Sequence, residues 1–144
     1  MYETMCNNSE AEHKLNHRGI KVTSVRILVL KTMMTVENAL SMSDIEELLP
    51  SLDKSSVFRT LNLFLEHKLV HSIDDGTGAL KYALCTDECD CTLDQEHIHF
   101  NCVKCGKTFC FKGLQIPAIQ IPKGFVPQGA NFVFKGLCYE CNKK

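Results

Sequence analysis

No part of this chain is apolar for long enough to cross a bilayer. Its longest apolar stretches, such as Ile27 to Leu30, fall far short of the roughly 20 residues a membrane helix needs. The segment from Met1 to Glu12 lacks the apolar centre of a secretory signal, so a cytoplasmic protein without a membrane partner is expected. An excess of positive charge is also missing: 16 Lys and Arg against 17 Asp and Glu leave a formal net charge of -1 and a pI near 6.6. Any binding of nucleic acid must therefore come from local charge. The chain shows no internal repeat, no low-complexity tract, no phosphate-cradling glycine loop, and no nucleophile, base and orienter at recognisable spacing, which argues against an enzyme.

Cysteine is scarce in the first half and dense in the second. Of nine cysteines, only Cys6 precedes Cys85. So many thiols in a reducing compartment imply that most are bound to something. The shift divides the chain into residues 1–84 and 85–144, and predicts an α+β protein: an N-terminal winged helix followed by a small C-terminal α/β domain that binds zinc and dimerises.

In the first half, Thr23 or Ser24 can cap a helix carrying Ile27, Leu28, Val29 and Met33, and Ser41 can start a second with Met42, Ile45, Leu48 and Leu49 on one side and Pro50 beyond its end. Asp53 stands in N-cap position before a third, whose face is set by Val57, Leu61, Phe64, Leu65 and Lys68. Leu69 to Ile73 and Leu80 to Leu84 read as strands around the turn-rich Asp74-Asp75-Gly76-Thr77-Gly78. Three helices and a hairpin make the winged-helix plan. In that plan the third helix enters the major groove of double-stranded DNA. Its Ser55, Ser56, Phe58, Arg59 and Asn62 lie opposite the apolar stripe. Arg59 can fork onto guanine or phosphate, the serines can bond phosphate, and Phe58 can pack on a thymine methyl. Upstream, Lys14, Arg18, Lys21 and Arg26, with His13 and His17, form a basic stretch able to clamp the backbone; a solvated helix face and a core-packed Phe58 are the bland alternative.

Cys102-Val103-Lys104-Cys105 and Cys138-Tyr139-Glu140-Cys141 are two C-x2-C knuckles, and four such thiolates complete a tetrahedral Zn2+ shell. A closed four-sulfur site has no open position, so its work is structural. It would tie the last strand back onto the first of its domain. A redox pair of thioredoxin type is the alternative. Cys85, Cys89, Cys91, His97, His99 and Cys110 form a second constellation at the junction of the halves. Together, the imidazoles, Cys110 and one thiolate from Cys85, Cys89 or Cys91 would make an N2S2 set that suits Zn2+ better than a harder metal.

These residues resemble the ferric uptake regulator family of iron, zinc, manganese and peroxide sensors, over about His17 to Cys141. The landmarks are Gly19-Ile20-Lys21-Val22-Thr23 with Arg26, Ser56 to Asn62, Lys68-Leu69-Val70, His97-x-His99-x-x-Cys102-x-x-Cys105-Gly106, and Gly136-Leu137-Cys138-x-x-Cys141. The resemblance implies a homodimeric repressor of metal-uptake genes that binds a palindromic operator when metal-loaded. It implies that Phe58 and Arg59 occupy DNA-contacting Tyr-Arg positions, that the knuckles hold structural zinc, and that His97 and His99 belong to a regulatory site. Where many members place a Glu ligand after the knuckle this chain has Cys110, which favours the zinc-sensing branch, with Fe2+ or Mn2+ as alternative regulatory metals. Phe58 lacks the usual tyrosine hydroxyl. Pro117 and Pro122 leave little room for the family's long helix between the knuckles, so sheet edges would carry dimerisation. The family's last-strand histidine appears here as Ala130 or a neighbour, which argues against a third metal site; Cys85 sits where the zinc-sensing branch has a Cys after the hinge Tyr-x-x, but the usual distance to the last His fits Cys91 better. A peroxide sensor, a thiol redox enzyme and a protein-binding adaptor are the competing functions.

Overall fold

The computed structural model describes residues 8–85, 98–111, 114, 117–128 and 132–143. The first half builds its core from helices α1 (Asn8–His17), α2 (Ser24–Met34), α3 (Met42–Leu48) and α4 (Lys54–Glu66). Their starts follow the expected side-chain chemistry. The hydroxyl of Thr23 accepts from Arg26 N at 3.3 Å, Ser41 and Asp44 form a reciprocal capping box, and Asp53 accepts from Ser56 N at 3.2 Å. The sequence reading missed α1. Its charged residues read as solvated, but Ala11 and Leu15, one turn apart, are fully buried, and Lys31 on α2 reaches Asn8 Oδ1 at 2.9 Å.

Strands β2 (Val70–Ile73) and β3 (Lys81–Leu84) form the expected antiparallel hairpin, and β1 (Leu40–Ser41) adds an unexpected edge, in the order β1-β3-β2. Two helix positions differ from expectation. Leu48 is 53% exposed, so Ile45 alone carries the buried face of α3. Lys68 lies beyond α4 at φ 61°, a left-handed step that turns the chain into β2. The core gathers Leu15, Leu30, Ile45, Val57, Leu61 and Phe64, all fully buried. Phe64→Ala removes the largest of these side chains and is expected to cost about 3–5 kcal/mol, measured as a fall in the urea midpoint.

The second sheet has the order β5-β4-β6. Strands β4 (Ile98–Cys102) and β5 (Thr108–Phe111) are an antiparallel hairpin, and β6 (Phe132–Gly136) runs parallel to β4. The short helix α5 (Tyr139–Asn142) follows. Residues 117–122 are non-helical, in keeping with the two prolines that bound them. The sheets meet where Ala39 N–H donates to Thr108 O at 2.7 Å. Among the described residues no helix is long and apolar enough to cross a membrane.

Candidate metal centres and nucleic-acid interface

Four sulfurs converge at one end of the second sheet. Cys102 closes β4, and a turn tightened by Gly106 N→Cys102 O at 2.9 Å brings Cys105 back beside it; Gly106 sits at φ 82°, where a side chain would be strained. Cys138 is the N-cap of α5 and Cys141 lies within it, and Val103 N→Gly136 O at 2.8 Å binds one knuckle to the strand that feeds the other. All four sulfurs lie within 4.8 Å of one another, and Cys105 Sγ is 3.8 Å from Cys138 Sγ. Zn–S bonds of about 2.3 Å at tetrahedral angles put neighbouring sulfurs about 3.8 Å apart, whereas a disulfide needs about 2.05 Å. The donor set therefore fits a tetrahedral ion.

Two of the thiols differ in acidity. The Cys105 backbone N–H, 3.5 Å from Cys102 Sγ, leads the hydrogen bonds that bring the Cys102 thiol down to about 5. Burial, helped by the sulfurs of Cys102, Cys138 and Cys105, pushes Cys141 up to about 12. Cys102 therefore ionises more readily than Cys141, whose proton an incoming cation would have to displace.

A second cluster sits at the junction of the sheets. His99 on β4 stands opposite Cys110 on β5, and His71 from β2 completes a group whose ligand atoms lie within 4.8 Å. The rings of His71 and His99 have centroids 5.8 Å apart, and Cys85 Sγ is 3.4 Å from His71 Nδ1. Two imidazoles and two sulfurs thus come from both halves of the chain. Cys89, Cys91 and His97 lie outside the described residues, as does Ala130. The second imidazole that the structure brings to His99 is His71, which sequence reasoning overlooked. A lone histidine in a hairpin strand has no spacing partner nearby; its one signal was a place among Val70 and Ile73, both buried.

On α4, Phe58 is 50% exposed, Ser55 and Arg59 are exposed, and Asn62 is half-buried, so this face is open as the helix pattern expected. The core-packed alternative for Phe58 does not hold. Arg59 and Ser56 line a groove with Thr23 and Arg26 of the neighbouring helix. The Arg26 guanidinium donates to Lys21 O at 2.7 Å, which fixes it beside exposed Lys21. Ser56 is the exception, because its hydroxyl donates to Asp53 Oδ1 at 2.7 Å. Those bonds, the Ser56 side chain first and its backbone next, also hold the Asp53 carboxyl below its ordinary range.

The ferric uptake regulator family model matches residues 17–124. The chain belongs to that family. It is 29% identical over 140 residues to the ferric uptake regulation protein of Campylobacter jejuni, covering 90% of this chain and 85% of that one. With the zinc uptake regulation protein of Escherichia coli it shares 27% over 145 residues, covering 92% and 80%. Its fold matches a zinc uptake regulator complexed with zinc and DNA at a TM-score of 0.64 and 22% identity, over 94% of this chain and 93% of that one. The ferric uptake regulator of Vibrio cholerae matches at 0.60 and 19% identity, over 92% and 100%. Members of the family are metal-responsive transcription regulators and not enzymes, which sets aside the thiol redox alternative.

Proposed function

We propose that this family member is a zinc-responsive repressor of metal-uptake genes. In this reading residues 1–84 bind a palindromic operator, and residues 85–144 hold the structural metal, share the regulatory one with His71 and form a homodimer. Cys102, Cys105, Cys138 and Cys141 would hold structural Zn2+. His71, Cys85, His99 and Cys110 would hold the regulatory ion, with Cys91 and His97 as the other candidates. The observation that carries the reading is the donor set at the junction: among the described residues, His71, His99 and Cys110 cluster with Cys85 beside His71 and no carboxylate joins them, a nitrogen-sulfur set that favours a borderline-soft ion such as Zn2+ over Fe2+ or Mn2+. Because His71 belongs to the wing hairpin and His99 to the second sheet, an ion bound there would fix the wing against that sheet.

DNA would be met by Ser55, Phe58, Arg59 and Asn62 on the open face of α4, with Lys21 and Arg26 on the backbone and Ser56, whose proton is held by Asp53, able only to accept, as from a base amino group. The test is operator binding by fluorescence anisotropy across Zn2+, Fe2+, Mn2+ and chelator, with metal content measured on the same samples. Binding that rises with Zn2+ is expected; binding supported by Fe2+ alone would overturn the zinc assignment, and indifference to DNA under every condition would favour the adaptor. In the Zn2+ arm, Arg59→Ala is expected to weaken binding by about 1–3 kcal/mol, roughly 10- to 100-fold, with metal content unchanged.

A further inference from the structure

The turn of the wing hairpin holds a buried charge that none of the proposed contacts uses. Asp75 is 1% exposed and Lys81 8%, and their ion pair is 2.8 Å long. Both partners are completed from the second sheet. Lys81 Nζ also donates to Gly106 O at 3.0 Å and Thr108 Oγ1 at 3.1 Å, so its three protons have three acceptors. Thr108 Oγ1 donates to Asp75 Oδ2 and accepts from Asn101 Nδ2 at 3.0 Å. Asp75 Oδ1 takes the backbone N–H and hydroxyl of Thr77. Burial would raise the Asp75 carboxyl, but hydrogen bonds from Lys81, Thr108 and Thr77 outweigh it and hold the group far below the usual carboxylate range.

The placement is specific. On β4, His99 and Asn101 are two apart and share a face, and on β5 Cys110 and Thr108 do the same. The register pairs His99 with Cys110 and Asn101 with Thr108. One face of this hairpin therefore carries two rows about 7 Å apart, one of candidate metal ligands and one of network residues. The wing answers both rows, with His71 at the first and Asp75 with Lys81 at the second.

We propose that Asp75, Lys81, Asn101 and Thr108 are a metal-independent clamp that sets the wing against the β4–β5 hairpin before any regulatory ion arrives. Resting on the junction site proposed above, it follows that the clamp prepositions His71 for His99 and Cys110, so ion capture orders less of the chain. A buried ion pair contributes little net stability compared with apolar packing, but removing one member leaves the others unsatisfied and loosens the joint. The four are positioning residues, since none supplies an atom to the metal cluster.

The test compares Thr108→Val, which keeps the shape and loses the hydroxyl, with Thr108→Ser, which keeps the hydroxyl. The full-length protein is used with its four-cysteine zinc in place, and far-UV circular dichroism together with zinc content checks folding. The first readout is hydrogen exchange of the Ala39 amide, which bonds Thr108 O across the joint, without regulatory metal. Exchange at least about tenfold faster in Thr108→Val than in Thr108→Ser is expected, with the Leu30 amide still protected in both. The second is Zn2+ affinity by chelator competition, expected to fall about tenfold in Thr108→Val and to recover in Thr108→Ser. Equal Ala39 exchange in the two variants would overturn the clamp. Faster exchange with unchanged Zn2+ affinity would overturn its prepositioning role. If the wild type took up no second Zn2+, the junction site would fail by itself, and Ala39 exchange would still decide the clamp.

Discussion

Cys138→Ser is expected to strip the four-sulfur site of its metal and unfold the second half of the chain while the first half stays folded. The reason lies in where the apolar core is. The main buried cluster runs from Ala11 to Tyr82, and beyond Cys85 the buried apolar side chains among the described residues are Ile98, Cys102 and Cys138. Two of those three are proposed ligands, so little hydrophobic burial remains to hold β4, β5 and β6 together. Structural zinc contributes on the order of 10–16 kcal/mol in small zinc-dependent folds, comparable to the about 5–15 kcal/mol net stability of a whole domain. Serine keeps the shape at this position but its neutral hydroxyl is a poor ligand for Zn2+. Loss of one zinc equivalent by elemental analysis should accompany rapid exchange of the β4 amides, with the Leu30 and Phe64 amides still protected. A variant with full zinc content and an unchanged melting profile would remove the structural role.

The second large effect concerns sensing and separates the two metal centres. His71→Ala and His99→Ala are each expected to abolish the metal response of DNA binding while leaving the four-cysteine zinc in place. Coupling between two sites typically amounts to about 5- to 150-fold in affinity, and losing a ligand from one half should bring that factor close to one. The comparison with His97→Ala is decisive for how the site is built. If His71 supplies the second imidazole, His97→Ala should retain most of the response. A His71→Ala protein that still bound DNA tightly with Zn2+ and weakly with chelator would remove the wing from the site.

How far such residues could be seen in advance depended on how local their partners are. Thr23, Ser41 and Asp53 were legible as caps because a cap bonds an amide three residues away, and the spacing is visible in the chain itself. The C-x2-C knuckles were legible for a similar reason, since each half of the sulfur set is defined within four positions. Helix α1 was not, because its stability comes from docking Ala11 and Leu15 on the core and not from a pattern in its own charged residues. Ser56 was read as open to phosphate when its hydroxyl in fact closes the cap of its own helix.

Sequence alone determined the helical first half, the cysteine-rich second half with its two knuckles, and the open face of α4. All of these follow from periodicity or short spacing, which covalent geometry converts directly into shared faces. Only the tertiary structure decided that His71 comes to His99, that Cys85 approaches His71, and that Asp75 and Lys81 meet Asn101 and Thr108. Each of those contacts joins residues far apart along the chain. Their proximity arises from the packing of one hairpin on another, so it has no signature in the order of the residues.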